Sequence, residues 1–242
     1  MELNILHLCP SLMGLYGEYA NLTLLKEKLE LLGVAVNRKT AGPEETPGFE
    51  SADFIYMGAG TERSQKAALA ALLPHREALK GALDRGAVVL FTGNAMELLG
   101  AAVTDAAGKT WEGLGLAGFT TTETDKRAPG DVIAMPSLWA APVVGFMNKC
   151  SVTAGVESPL FPSLTLGFGN ERELGAEGYV DGNLFATHLT GPVLVKNPDF
   201  LDVLVRRVFQ CKGWTCPDQL PDIPYQREAY AVTLRELRAP GK

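Results

Sequence analysis

Residues 88–99 read Val-Val-Leu-Phe-Thr-Gly-Asn-Ala-Met-Glu-Leu-Leu, and no other stretch limits the possible folds as sharply. An unbroken apolar run with no polar alternation fits a strand covered on both faces, the position of a central strand in a parallel sheet. The run breaks at Thr92, Gly93 and Asn94, and residues 95–99 resume as a helix, so strand, sharp turn and helix follow directly. The same alternation occurs upstream. Residues 3–8, 34–38 and 54–57 are short apolar or β-branched runs, while residues 16–32 and 65–83 have helical character. The first of these helices carries a stripe of Leu22, Leu25, Leu29 and Leu32 and is closed by Gly33 as C-cap. Strands alternating with helices build right-handed βαβ units, so the expected fold is α/β, a doubly wound parallel sheet.

Past Gly100 the pieces become shorter and richer in glycine, and residues 118–122, 131–135, 143–146 and 165–168 read as an antiparallel extension. Asp181, Gly182 and Asn183 form a hairpin turn between 179–180 and 184–189, and the latter run alternates so that His188 and Thr190 share a face. A helix over 197–209, opened by Pro198, closes the core. The expectation is one domain over residues 1–210, followed by a peripheral tail, 211–242, with a helix near 226–237.

Function classes narrow by exclusion. The 242 residues are 46% hydrophobic, enough for one sizeable core without staples. With 22 basic against 28 acidic residues and no basic run, nucleic-acid binding is disfavoured. No stretch reaches the roughly 18–20 apolar residues of a membrane span, and no signal peptide is visible, so a cytoplasmic setting without membrane insertion is expected. Cys9, Cys150, Cys211 and Cys216 do not combine with His7, His75 and His188 in zinc-ligand spacing. The cysteines read as free thiols, and no metal is expected. The Walker loop and the dinucleotide fingerprint are absent, so no cofactor is expected either.

In an open parallel sheet, ligands sit beyond the carboxyl ends of the strands. That rule selects Cys9 after the first strand, the Gly58, Ala59, Gly60 to Arg63 loop after the third, and Thr92 to Asn94 after the fourth. The Gly58 loop permits close backbone approach, and its amides suit a carboxylate or an oxyanion, although a plain tight turn has the same sequence.

Several collinear segments together resemble the class I glutamine amidotransferase family, in particular the glutaminase subunits of lipid II isoglutaminyl synthase and the amidotransferase domains of cobyric acid synthases. They are Leu15 and Tyr16 with Asn21, FIYMGAGTERSQ from 54 to 65, TGNAMELLG from 92 to 100, Arg127 with Gly130 and Asp131, Val144 to Phe146 with Asn148, 167–170, and LTGPVLVKN from 189 to 197. In that family a Cys-Gly-Gly-Tyr-Gln-x-Leu-Gly turn carries the nucleophile, and a Leu-His-Gly-Pro segment carries the histidine that activates it. Matching Leu99 and Gly100 puts Gly93 at the cysteine position; matching Gly191 and Pro192 puts Thr190 at the histidine position. A register shifted by one residue at Thr92 also lacks a cysteine.

Glycine offers no nucleophile and threonine no base near neutrality, so both reagents of the family are missing. The resemblance implies that Arg127 faces the glutamine substrate and that Gly58, Ala59, Gly60 and Asn94 line its site. It also implies a Mur-ligase-like, ATP-using partner that amidates a cell-wall or related carboxylate. Three readings stay open: a degenerate subunit, an active amidotransferase using Cys9, Cys150 and His188 as relocated catalysts, and a module that binds glutamine or another amino acid. Thr92 is a weak hydroxyl candidate because no base lies near it in sequence. Bland readings accompany the rest: Glu62 with Arg63 as a loop ion pair, Glu97 as helix packing, His7 as a hydrogen-bonded core histidine, and Cys211 and Cys216 as packing around Trp214.

Overall fold

The computed structural model describes residues 1–173 and 175–239. The apolar runs pair as the alternation predicts. Strands β1 (Glu2–Leu8), β2 (Ala35–Ala41), β3 (Phe54–Met57) and β4 (Val88–Thr92) are mutually parallel, and β11 (Leu184–Thr187) joins them beside β4. With β10 (Tyr179–Asp181) antiparallel at the edge, the order is β10-β11-β4-β3-β1-β2. The turn of this last hairpin is Gly182 and Asn183, as its sequence indicates.

Alternate side chains of each strand feed two cores. Leu3, Ile5, Phe54, Tyr56, Val88, Leu90 and Phe185 face helices α1 (Tyr19–Leu31) and α5 (Pro198–Cys211). Leu6, Leu8, Ile55, Met57, Val89, Phe91, Leu184 and Ala186 face α2 (Glu62–Leu72) and α3 (Arg76–Asp84). Helices on both faces of a mainly parallel sheet make the doubly wound architecture, and they explain why β3, β4 and β11 are buried along their whole lengths. The alternation expected over 184–189 is therefore corrected: the strand stops at Thr187 and both its faces are covered.

Three further boundaries differ for local reasons. The helix expected over 65–83 starts at Glu62 behind a Thr61 cap, whose hydroxyl accepts from Ser64 N, and it breaks into α2 and α3 where Pro74 forces a 3-10 turn over Leu73–His75. Residues 95–99 belong to a 3-10 segment, Gly93–Leu99, rather than to an α-helix. The first helix begins at Tyr19 instead of residue 16, because Tyr16 takes a left-handed backbone (φ 61°).

The second sheet contains β5 (Ala102–Thr104), β6 (Thr110–Glu112), β7 (Thr120–Met135), β8 (Val143–Ala154) and β9 (Ser163–Leu166). The separate strands expected over 118–122 and 131–135 are both parts of β7, which runs antiparallel to β8 through a bulge. Between Glu123 and Ala128 it takes five steps while β8 takes two, from Ser151 to Lys149. Such a bulge re-aims side chains, and here it turns Arg127 toward the end of the first sheet. The two sheets meet where Thr190 N donates to Phe146 O (2.8 Å) and where the Asn197 side chain pairs with both the N–H and the C=O of Val144 (2.8 Å each). Short α4 (Val193–Lys196) leads into α5, and α6 (Gln226–Arg238) lays Tyr230, Leu234 and Leu237 on Ile133 and Val144. Among the described residues no helix is long and apolar enough to cross a membrane.

Candidate active site

The parallel strands β3 and β4 end side by side, which brings two loops together. At the end of β4, Gly93 turns the chain with φ +60°, a left-handed conformation that side chains rarely adopt. In strand-to-helix elbows of this type the strained residue is the one that projects a reactive atom. Here nothing projects. A Cβ on Gly93 would lie 2.5 Å from Ala59 Cβ and 3.0 Å from Thr190 Cγ2, so positions 93 and 190, matched above to the family's reagents, are neighbours in space, with Ala59 against Gly93.

The glycines of the β3 loop answer to the protein itself. A Cβ at Gly58 would meet Glu18 Cβ and Met13 O at 2.8 Å; one at Gly60 would meet Met13 Sδ at 2.5 Å and Leu12 O at 2.6 Å. Segment 10–18 packs there, with Leu15 N donating to Ala59 O (2.9 Å). The Gly60 amide, expected as a free anion donor, is taken up: it donates to Asn94 Oδ1 (2.9 Å), and Asn94 Nδ2 donates back to Gly60 O (3.0 Å). Gln65 Nε2 fixes the Asn94 carbonyl (2.7 Å) and also donates to Glu97 Oε2 (2.6 Å).

The residues around these loops enclose a cavity of about 20 Å³, lined among others by Ala59, Gly93, Asn94, Arg127, Cys150 and His188. That is room for roughly one water. At its rim Arg127 pairs with Glu62 and donates to Asn148 O (3.2 Å). Arg63 is thus not the partner of Glu62. Burial raises the Glu62 carboxyl, but hydrogen bonds from Arg127, its own backbone and Cys150 outweigh it and hold the group below the usual range.

Of the relocated-catalyst candidates, Cys150 and His188 line this cavity and Cys9 does not. Cys9 is buried among Met13, Ile55 and Met57, away from the cavity lining, and burial pushes its thiol up to about 11. Cys150 does line the cavity, but its Sγ donates to Glu62 (3.1 Å), and burial together with that carboxylate raises it to about 11 as well. A nucleophilic thiol needs the opposite environment. His188 has both ring nitrogens engaged, Nδ1 with Glu177 Oε1 (3.1 Å) and Nε2 with Thr153 Oγ1 (3.3 Å). Burial, and then Lys149, lower its pKa.

Two polar clusters escaped sequence reasoning. In the cavity wall, Glu97 accepts from Ser151 Oγ (2.5 Å) and Gln65, and Lys149 Nζ donates to Asn170 O (2.7 Å) with its pKa lowered by burial to about 8. Glu97 is therefore part of a buried network, not simple helix packing. Beneath Gly93, the fully buried Glu18 accepts from Tyr56 Oη (2.7 Å), from Thr92 Oγ1 and from Gly191 N (3.0 Å); burial raises its pKa against those bonds. Thr92 thus does have a carboxylate beside it, but both are sealed from solvent and from the cavity. The matched segments carried Asn21, Tyr56, Thr92 and Gly191 of this cluster, but nothing in the sequence singled out Glu18. Among the described residues no group of three His, Cys, Asp or Glu side chains could hold a metal.

Fold and site geometry define an amidotransferase-type α/β domain, and the chain belongs to the CobB/CobQ-like glutamine amidotransferase domain family, whose pattern matches residues 4–198. Two curated relatives are GatD subunits of the glutamine-hydrolyzing lipid II isoglutaminyl synthase. The Staphylococcus aureus protein is 29% identical over 212 residues, covering 88% of this chain and 86% of that one. The Streptococcus pneumoniae protein is 29% identical over 214 residues, covering 87% and 82%. Among solved structures, the glutaminase domain of Trypanosoma brucei CTPS with bound acivicin superposes with a TM-score of 0.50 at 11% identity, covering 92% of this chain and 98% of that one. This last likeness concerns the fold alone.

Proposed function

We propose that this chain is a GatD-like subunit that no longer hydrolyses glutamine, and that it serves a Mur-ligase-like, ATP-using partner in amidating a cell-wall or related carboxylate. Glutaminase chemistry needs a thiolate to attack the side-chain amide, a base to carry the proton, and amide donors for the oxyanion. The observation that carries the reading is the packing at Gly93: the space a nucleophile's Cβ would need is filled by Ala59 and Thr190. The engaged Gly60 amide and the raised thiols of Cys9 and Cys150 agree with it. The subunit then holds or tunes its partner, and free ammonia supplies the nitrogen. An ATP-using partner places the pair in the cytoplasm.

Ammonia release from glutamine by the purified chain tests this. The expected rate equals that of a boiled control. Release that disappears in Cys150→Ala would instead support a relocated thiol. The amino-acid-binding reading draws on Arg127 at the cavity rim, and saturable stabilisation of the unaltered chain by glutamine would favour it: at 100 times the dissociation constant a ligand adds about 2.7 kcal/mol.

A further inference from the structure

Between the two loops lies a primary carboxamide, the side chain of Asn94. Its oxygen accepts from Gly60 N at 2.9 Å and its nitrogen donates to Gly60 O at 3.0 Å, so both faces of the amide are matched by one backbone unit. Gln65 Nε2 holds the Asn94 main chain from behind at 2.7 Å. The remaining cavity has a volume of about 20 Å³. A glutamine side chain ends in this same functional group.

We propose that the Asn94 carboxamide is a built-in occupant of the amide-binding position formed by Gly60, so that the chain is permanently self-liganded and unresponsive to free glutamine. The inference rests on the reading of the Gly58 to Gly60 loop as an amide-binding loop. It goes further in assigning a residue that excludes ligand, as distinct from the missing residues that would react with it. The chemistry is direct: a side-chain amide docked on Gly60 needs the N–H and C=O that Asn94 already satisfies, and an intramolecular group competes without losing translational freedom. Emptying the position returns two unpaired backbone groups at the end of the cavity. Those groups, with Arg127 at the rim exchanging Glu62 for a ligand carboxylate, suit a zwitterionic amino acid with a terminal carboxamide.

Calorimetric titration with L-glutamine and L-glutamate tests this on the full chain, its Asn94→Gly and Asn94→Ala variants, and Asn94→Gly combined with Arg127→Ala. The expected outcome is no heat of binding with the unaltered chain, saturable glutamine binding in at least one single variant at least tenfold tighter than glutamate, and its loss with Arg127→Ala. None of the variants hydrolyses glutamine, because position 93 still lacks a nucleophile. If Asn94 is only a structural tie, both variants melt lower and bind nothing while remaining folded, which overturns the proposal. Equal binding by the unaltered chain overturns it too. Ammonia release by the unaltered chain is a separate result: it contradicts the silent-subunit reading and says nothing of who occupies Gly60.

Discussion

Ala59, Gly93, Asn94 and Thr190 act as a set, because each fills or closes what another leaves open. Gly93→Cys alone therefore does not restore a glutaminase. Its Cβ meets Ala59 in a left-handed backbone, and overpacking with that conformation costs on the order of 2–4 kcal/mol. Adding Ala59→Gly should recover the overpacking part of that loss in urea denaturation and leave the part due to the left-handed backbone; a single variant as stable as the parent contradicts the packing. A second residue-scale prediction concerns acid. His7 is held neutral by burial and by Arg38, down to about 4 against 6.5 when unperturbed. The unfolded chain thus binds more protons in that window, and His7's contribution is complete above 6.5 and lost as pH falls toward 4. His188 acts in the same direction, whereas the raised Glu18 stabilises at low pH and loses that contribution as pH rises. The denaturation midpoint should fall from pH 6.5 to pH 4, more gently in His7→Leu; an unchanged slope in that variant removes His7 from the account. That the turn after β4 carries no cysteine, and the segment before Gly191 and Pro192 no histidine at 190, was legible in either register. The roles of Ala59, Glu18 and the Asn94–Gly60 pair were not, since each depends on contacts between segments distant in sequence.

Elements whose signals are local came through best. The runs at 3–8, 54–57 and 88–91 are apolar on both faces because helices cover both faces, so periodicity alone identified the sheet. β7 was read as fragments because its bulge over 124–127 interrupts the pattern, and the 3-10 segment from Gly93 has apolar spacing like an α-helix but the tighter 3-10 hydrogen bonding. The packing of helices against each other depends on a buried charge. Lys28 of α1 is fully buried, with Nζ 2.7 Å from Asp202 Oδ1 of α5, while Arg227 of α6 reaches Asp202 Oδ2 (3.1 Å) and Asp199 (2.7 Å). Asp202→Ala leaves Lys28 charged and unpaired in the core and should cost about 3–5 kcal/mol, much of which Lys28→Met recovers in the double variant. Additive losses in that cycle, measured by urea denaturation, contradict a coupled pair.

At the scale of the whole molecule, an amidotransferase domain is preserved from β1 to α5 while its centre is filled with its own side chains. Sheet, crossing helices and bulge are in place and Arg127 lines the cavity; on the proposed reading the fold presents its surface without the chemistry. On the proposed reading, such a chain contributes by what it holds, and its partner draws nitrogen from elsewhere. The most direct test follows the isotope. The chain is combined with the Mur-ligase-like protein encoded nearest to it, ATP and the carboxylate substrate, once with amide-15N glutamine and once with 15N ammonium. The amidated product should carry label from ammonium and none from glutamine; label from glutamine at a comparable rate contradicts a silent subunit.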